Sequence, residues 1–205
     1  MRGLDSFVRA NQSGIGTASD GEAWAATGGG TLSIAANQVV IVSAGADTQV
    51  QLGSQTGKDM IVQATLSINN ASDICGVEAR FSSASGSSCY KVLFYSADIH
   101  INKTVNGSGT NLVNFGGFTM TPNTLYIFKI AVVGTSIKGK VWANGSVEPG
   151  WLMSTTDAAI TSGGFALLGQ TNGGSTGVQC ANFLAMAPQP LAIRPVMGIA
   201  RRITA

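Results

Sequence analysis

Charge is scarce in this sequence. Of 205 residues only 11% are Asp, Glu, Lys or Arg, less than half of the roughly 25% usual in soluble domains. The shortage excludes a basic surface for nucleic acid over most of the chain. Residues 1–187 hold nine Lys/Arg against ten Asp/Glu, and the positive excess comes from Arg194, Arg201 and Arg202. Histidine is nearly absent: His100 stands alone, so no Cys/His set has zinc spacing. Cysteine stops at Cys75, Cys89 and Cys180, an odd count that argues against a scaffold built on disulfides. Cys75 and Cys89 either pair across neighbouring strands or, with Cys180, remain small half-buried thiols. No apolar run reaches the roughly 18 residues of a membrane helix. The start MRGLDSFVRANQ lacks the apolar centre of a secretion signal, so synthesis in the cytoplasm without a signal peptide is expected. Glu, Lys, Arg and Leu are too few for a coiled coil or helical bundle.

What is abundant is alternation and turn residues. Val62, Ala64, Leu66 and Ile68 alternate with polar residues, and so do Val77, Ala79 and Phe81 with Glu78 and Arg80. Tyr90, Val92 and Phe94 share a face; Tyr126, Phe128, Ile130 and Val132 share another. Period-two patterning of this kind specifies half-buried strands. The 27 glycines fall largely between them. Asn106-Gly107, Asn144-Gly145 and Asn172-Gly173 suit type I′ hairpin turns. Gly134-Thr135 separates two strong strand patterns. Roughly a dozen strands without helical periodicity specify an all-β, two-sheet antiparallel sandwich, with domain bounds 1–187. Pro188, Pro190 and Pro195 then mark 188–205 as an extended C-terminal arm, because proline cannot donate to a ladder. Pro190, Ile193, Arg194, Pro195, Met197, Arg201 and Arg202 are the candidate partner-docking residues of that arm.

The residues Asp5-Ser6-Phe7-Val8-Arg9-Ala10-Asn11, then Gly16-Thr17-Ala18-Ser19-Asp20-Gly21 and Trp24, resemble the start of concanavalin A-like lectin/glucanase (laminin-G-like) jelly-roll domains. The later order is similar too: Gly76–Phe81, Tyr90–Phe94, Ile99–Lys103, Tyr126–Val132, Ile137–Trp142, Glu148-Pro149-Gly150-Trp151 and Val178–Met186. The resemblance covers about residues 4–187. Such domains are common in phage structural proteins and bacterial surface proteins. It implies a fold and leaves the role open.

Chemistry is sparse. Glycoside hydrolysis needs two carboxylates about 5–10 Å apart, and Glu22, Glu78 and Glu148 stand alone in the sequence. Glu78 and Arg80 share a strand and suit cross-strand pairing. His100, between Ile99 and Ile101, is expected to face solvent. Gly28-Gly29-Gly30 lacks the Lys-Ser/Thr pair of a phosphate loop. Enzymatic activity is therefore not expected, and no cofactor is required. Calcium needs clustered carboxylates, and the seven aspartates lie apart; the related sandwiches keep it as an alternative.

The composite expectation is a non-enzymatic structural surface module. A virion (phage) decoration, capsid-associated or tail protein, joined to its assembly by the arm and homo-oligomeric, fits the apolar Pro-rich tail. The alternative is a lectin-like module for cell-surface or host glycans, with Trp142, Tyr95 and His100 as carbohydrate contacts.

Overall fold

The computed structural model describes residues 2–84 and 87–188. Residues 189–205 lie outside them, so the docking arm and its residues from Pro190 to Arg202 are not described. Sixteen strands form among the described residues. They are β1 (Arg2–Asp5), β2 (Gln12–Ser13), β3 (Trp24–Thr27), β4 (Thr31–Ala35), β5 (Gln38–Val42), β6 (Thr48–Leu52), β7 (Met60–Ser67) and β8 (Ile74–Ser82). The chain continues through β9 (Ser88–Tyr95), β10 (Asp98–Val105), β11 (Ser108–Phe115), β12 (Tyr126–Val133), β13 (Ser136–Ala143), β14 (Met153–Thr156), β15 (Gly164–Gln170) and β16 (Val178–Met186). One sheet has nine strands in the order β14-β13-β12-β7-β16-β5-β4-β2, with β1 also pairing β16. The other has seven, β11-β10-β9-β8-β15-β6-β3. The strand ladders are antiparallel, giving the expected jelly-roll sandwich.

Alternation decides the core. Val62, Leu66, Phe128 and Ile130 from the larger sheet meet Val77, Tyr90, Val92 and Leu167 from the smaller one, all fully buried. The first strand is pinned by a buried carboxylate. Asp5 accepts both guanidinium nitrogens of Arg9 at 2.9 Å, the indole N–H of Trp24 at 2.7 Å, the Phe7 amide at 2.9 Å and the Ser19 hydroxyl at 3.0 Å. Burial works to raise the Asp5 carboxyl, but Arg9, the Phe7 amide, Trp24 and Ser19 outweigh it and hold it below the usual range. The opening residues thus converge on one side chain, while Phe7 is buried and Trp24 packs on the core.

Turn chemistry follows the sequence in part. Asn106 and Gly107 both have positive φ between paired Val105 and Ser108, as a type I′ hairpin requires. Asn144-Gly145 and Asn172-Gly173 differ: among the described residues, only the glycine of each pair has positive φ. They open longer connections instead. Two tight hairpins use unsignalled pairs, Ala36-Asn37 and Ser96-Ala97, all with positive φ.

A bulge between Ala79 and Ser82 changes the expected face of Phe81. Arg80 takes a φ of 53°, and Phe81 leaves the main core to pack with Cys89 and Ala166 on the outside of the seven-stranded sheet. Glu78 stands opposite Lys91 on β9, whereas Arg80 finds its partners in loops and not across the ladder. Its guanidinium donates to the carbonyls of Lys58, Ile160 and Gly134 at 2.6–2.7 Å and lies 3.7 Å from Asp59, tying three loops together. Gly163 packs on this backbone, and a Cβ there would overlap the Arg80 carbonyl. The cysteines are free and buried. Cys75 faces the core and Cys89 the outer cluster, so the two stand on opposite sides of their sheet.

Candidate functional site

The outer face of the seven-stranded sheet gathers most of the unexplained polar chemistry. Register aligns Gln51, Ala166, Glu78, Lys91, Asn102 and Asn111 in one row across six strands. The adjacent row is Gln49, Leu168, Gly76, Leu93, His100 and Asn114. Gly76 is required by close approach, since a Cβ there would overlap the Val92 carbonyl. A depression of about 190 Å³ lies over these rows, lined by Asp47, Ile74, Lys91, Leu93, Tyr95, Asn102 and Leu168.

Its electrostatics centre on Lys91. The Nζ lies 3.4 Å from Asp47 Oδ2 and 3.9 Å from Glu78 Oε1. Burial alone would lower the Lys91 ammonium, but Glu78, Cys89 and Asp47 more than compensate and hold it above its ordinary value. Glu78 is fully buried. Burial pushes its carboxyl up to about 7, against the opposing pull of Lys91. The weakly donating Cys89 thiol is its neighbour, and neither carboxylate oxygen has a hydrogen-bond partner. Asn102 Oδ1, one strand beyond Lys91, is likewise buried and unpartnered. Unpaired buried polar atoms are costly, and the Asn102 amide oxygen, which only accepts, belongs to the lining of the depression and calls for a donor.

Two of the three expected carbohydrate contacts meet here. Tyr95 is 49% exposed at the end of β9. Its ring centre lies 6.0 Å from that of His100. His100 is 8% exposed, not solvent-facing. Its Nε2 is 3.3 Å from the Tyr95 carbonyl and its Nδ1 3.2 Å from Asn111 Nδ2. With the Asn111 amide donating, the proton of the neutral ring is assigned to Nε2, which donates to Tyr95. His100 thus supports the Tyr95 hairpin, with both nitrogens engaged.

Trp142 is elsewhere. It stands on the nine-stranded sheet and is 8% exposed. Lys140 Nζ lies 5.6 Å from its ring centre and 4.5 Å from that of Trp151. The same ammonium donates to the Pro149 carbonyl at 2.8 Å and pairs with Glu148 at 2.7 Å, clamping the 148–151 loop beside Trp142. Trp151 remains 39% exposed over this clamp.

Asp47 was not singled out with Glu78 by spacing. It lies in the β5–β6 connection, 31 positions before Glu78, and Lys91 bridges the two. No local motif signals such a pairing. The other loop aspartates close loops. Asp73 accepts the Asn69, Asn70 and Asn172 amides and the Ser175 hydroxyl, and Asp157 accepts Tyr90 and Lys103. Among the described residues no three His, Cys, Asp or Glu side chains cluster with metal-binding geometry, and no helix is long and apolar enough to cross a membrane.

No protein-family model and no curated protein matches the sequence. Solved structures do match in fold. A carbohydrate-binding module, CBM66 from Bacillus subtilis, superposes with a TM-score of 0.62 at 15% identity, over 78% of this chain and 91% of its own. The VIP36 exoplasmic/lumenal domain bound to Ca²⁺ and Man3GlcNAc gives 0.63 at 9% identity, covering 82% and 84%. A Bacillus licheniformis β-glucanase gives 0.55 at 12% identity, covering 91% and 98%. The shared architecture is the two-sheet jelly-roll sandwich, the fold implied by the resemblance of the opening residues.

Proposed function

We propose that this concanavalin A-like jelly roll is a non-enzymatic carbohydrate-binding module that holds a glycan on the outer face of its seven-stranded sheet. Tyr95 carries the reading. A half-exposed ring stands at the rim of a depression whose lining includes Leu93, Leu168, Asn102, Lys91 and Asp47. A sugar ring offers an apolar C–H face to an aromatic and hydroxyls to polar groups, and binding sites pair these two kinds of contact. Carbohydrate-binding neighbours in the same fold support it. Tyr95 is the contact residue and His100 its support; Trp142 belongs to the opposite surface.

Catalysis is disfavoured by the same geometry. A hydrolase must bring one carboxyl to the glycosidic oxygen. Glu78, whose carboxyl is raised by burial, has no solvent exposure, and its Lys91 partner also holds Asp47. The virion-surface role expected of residues 188–205 gains nothing from the sandwich, so the glycan-binding alternative becomes the main reading.

A glycan array followed by calorimetry tests this. Tyr95→Ala should weaken the strongest ligand about tenfold, equivalent to ~1.4 kcal/mol, and β-glucan should release no reducing ends. Silence across the array, or a Tyr95→Ala protein that binds unchanged, would overturn glycan binding at this face. Released sugar would overturn the non-enzymatic assignment.

A further inference from the structure

We infer that the outer-face site selects uncharged glycans and rejects acidic ones, an inference that rests on the glycan-binding reading above. Lys91 is the one basic side chain in the two aligned rows, His100 having both nitrogens engaged. The Lys91 charge is already held between Asp47 at 3.4 Å and Glu78 at 3.9 Å. An incoming carboxylate or sulfate would find no free cation here. It would approach Asp47, whose side chain is 38% exposed, with Asp98, the register partner of Tyr95, already engaged with Asn114 and the Gly117 amide.

The unpaired amide points the same way. Asn102 Oδ1 lies on a residue that lines the depression, is buried and has no partner, and an amide oxygen only accepts; Glu78 is fully buried beside Lys91, out of a ligand's reach. A ligand that completes the row must bring donors. Hexose hydroxyls do so. An acidic sugar adds acceptors and a charge that must be desolvated beside like charge. The Leu93 and Leu168 side chains in the lining lower the local polarity and sharpen that penalty.

Asp47→Asn reverses the balance. It removes one of the two carboxylates that hold Lys91, at a position outside the core, and frees the ammonium for an anion. The test uses calorimetry at low salt with two probes of equal length and linkage: a neutral hexose tetrasaccharide that binds, and its uronate counterpart oxidised at C6. The wild-type protein should bind the uronate at least about tenfold more weakly, and Asp47→Asn should narrow the ratio by about tenfold. Added salt should narrow it further. Equal affinity for both probes, or a ratio unmoved by Asp47→Asn, overturns the selectivity while leaving glycan binding in place. Failure of every glycan to bind overturns both.

Discussion

Replacing Glu78 by Gln should remove a specific pH dependence from the stability of the sandwich. In the folded chain the Glu78 carboxyl sits at about 7, against an ordinary value of 4.5, because burial penalises its charge. The folded state therefore holds an extra proton between those two values. Stability must fall as pH rises through this window, and the loss is complete above the folded value. A shift of about 2.5 units is worth roughly 3 kcal/mol at 1.36 kcal/mol per unit. Gln has the shape of the protonated side chain and cannot ionise. Other carboxyls titrate as well, so the quantity to follow is the stability difference between the two proteins. Urea unfolding, monitored by tryptophan fluorescence from pH 4.5 to 8.5, should show Glu78→Gln gaining about 3 kcal/mol relative to wild type across the range. Its offset at pH 4.5 absorbs the altered Lys91 pairing and is not diagnostic. A difference that stays constant with pH would refute the buried, unpartnered state of Glu78.

Further outcomes follow from the same contacts. Asp5→Ala strands the Arg9 guanidinium and the Trp24 indole, so it should cost roughly 3–5 kcal/mol in chemical denaturation. Because Asp5 is held below 3.8 in the fold, the stabilisation it supplies should be present above that value and fade as pH falls below it. Tyr90→Phe removes a hydroxyl that donates to Asp157 at 2.6 Å and accepts the Ile160 amide at 3.0 Å; a loss of about 1–3 kcal/mol is expected. The three buried thiols, each with its pKa pushed up by burial so that the reactive thiolate is disfavoured, should resist Ellman's reagent in the native protein. All three should react in urea; fast native labelling of Cys75 would contradict the core packing.

Much of the fold was legible because alternation states which side of a strand is apolar. Val62 to Ile68 and Tyr126 to Val132 became β7 and β12, paired in register. Alternation does not reveal where it will be interrupted. The bulge after Ala79 moved Phe81 to the outer face and sent Arg80 to the loops, so of the two residues expected to pair across strands only Glu78 does so, opposite Lys91. Nor does it reveal what covers a face. His100 does point away from the core, yet Asn111 and the Tyr95 carbonyl enclose it. The site was visible in part. Tyr95 and His100 come together through a hairpin at Ser96-Ala97, a pair with no turn signature. Trp142 fell on the other sheet because strand order, not local pattern, assigns β13 to the nine-stranded layer. Asp47 needed the fold to bring a loop over β9.

The most direct test of the central assignment is an NMR titration of the isotopically labelled protein with its strongest array ligand. Amide shifts should concentrate in β8, β9 and β10 and around Asp47, with Tyr95 and Asn102 among the largest. Shifts centred instead on Trp142, Trp151 and the 148–151 loop, or absent at saturating ligand, would contradict a glycan site on the outer face of the seven-stranded sheet.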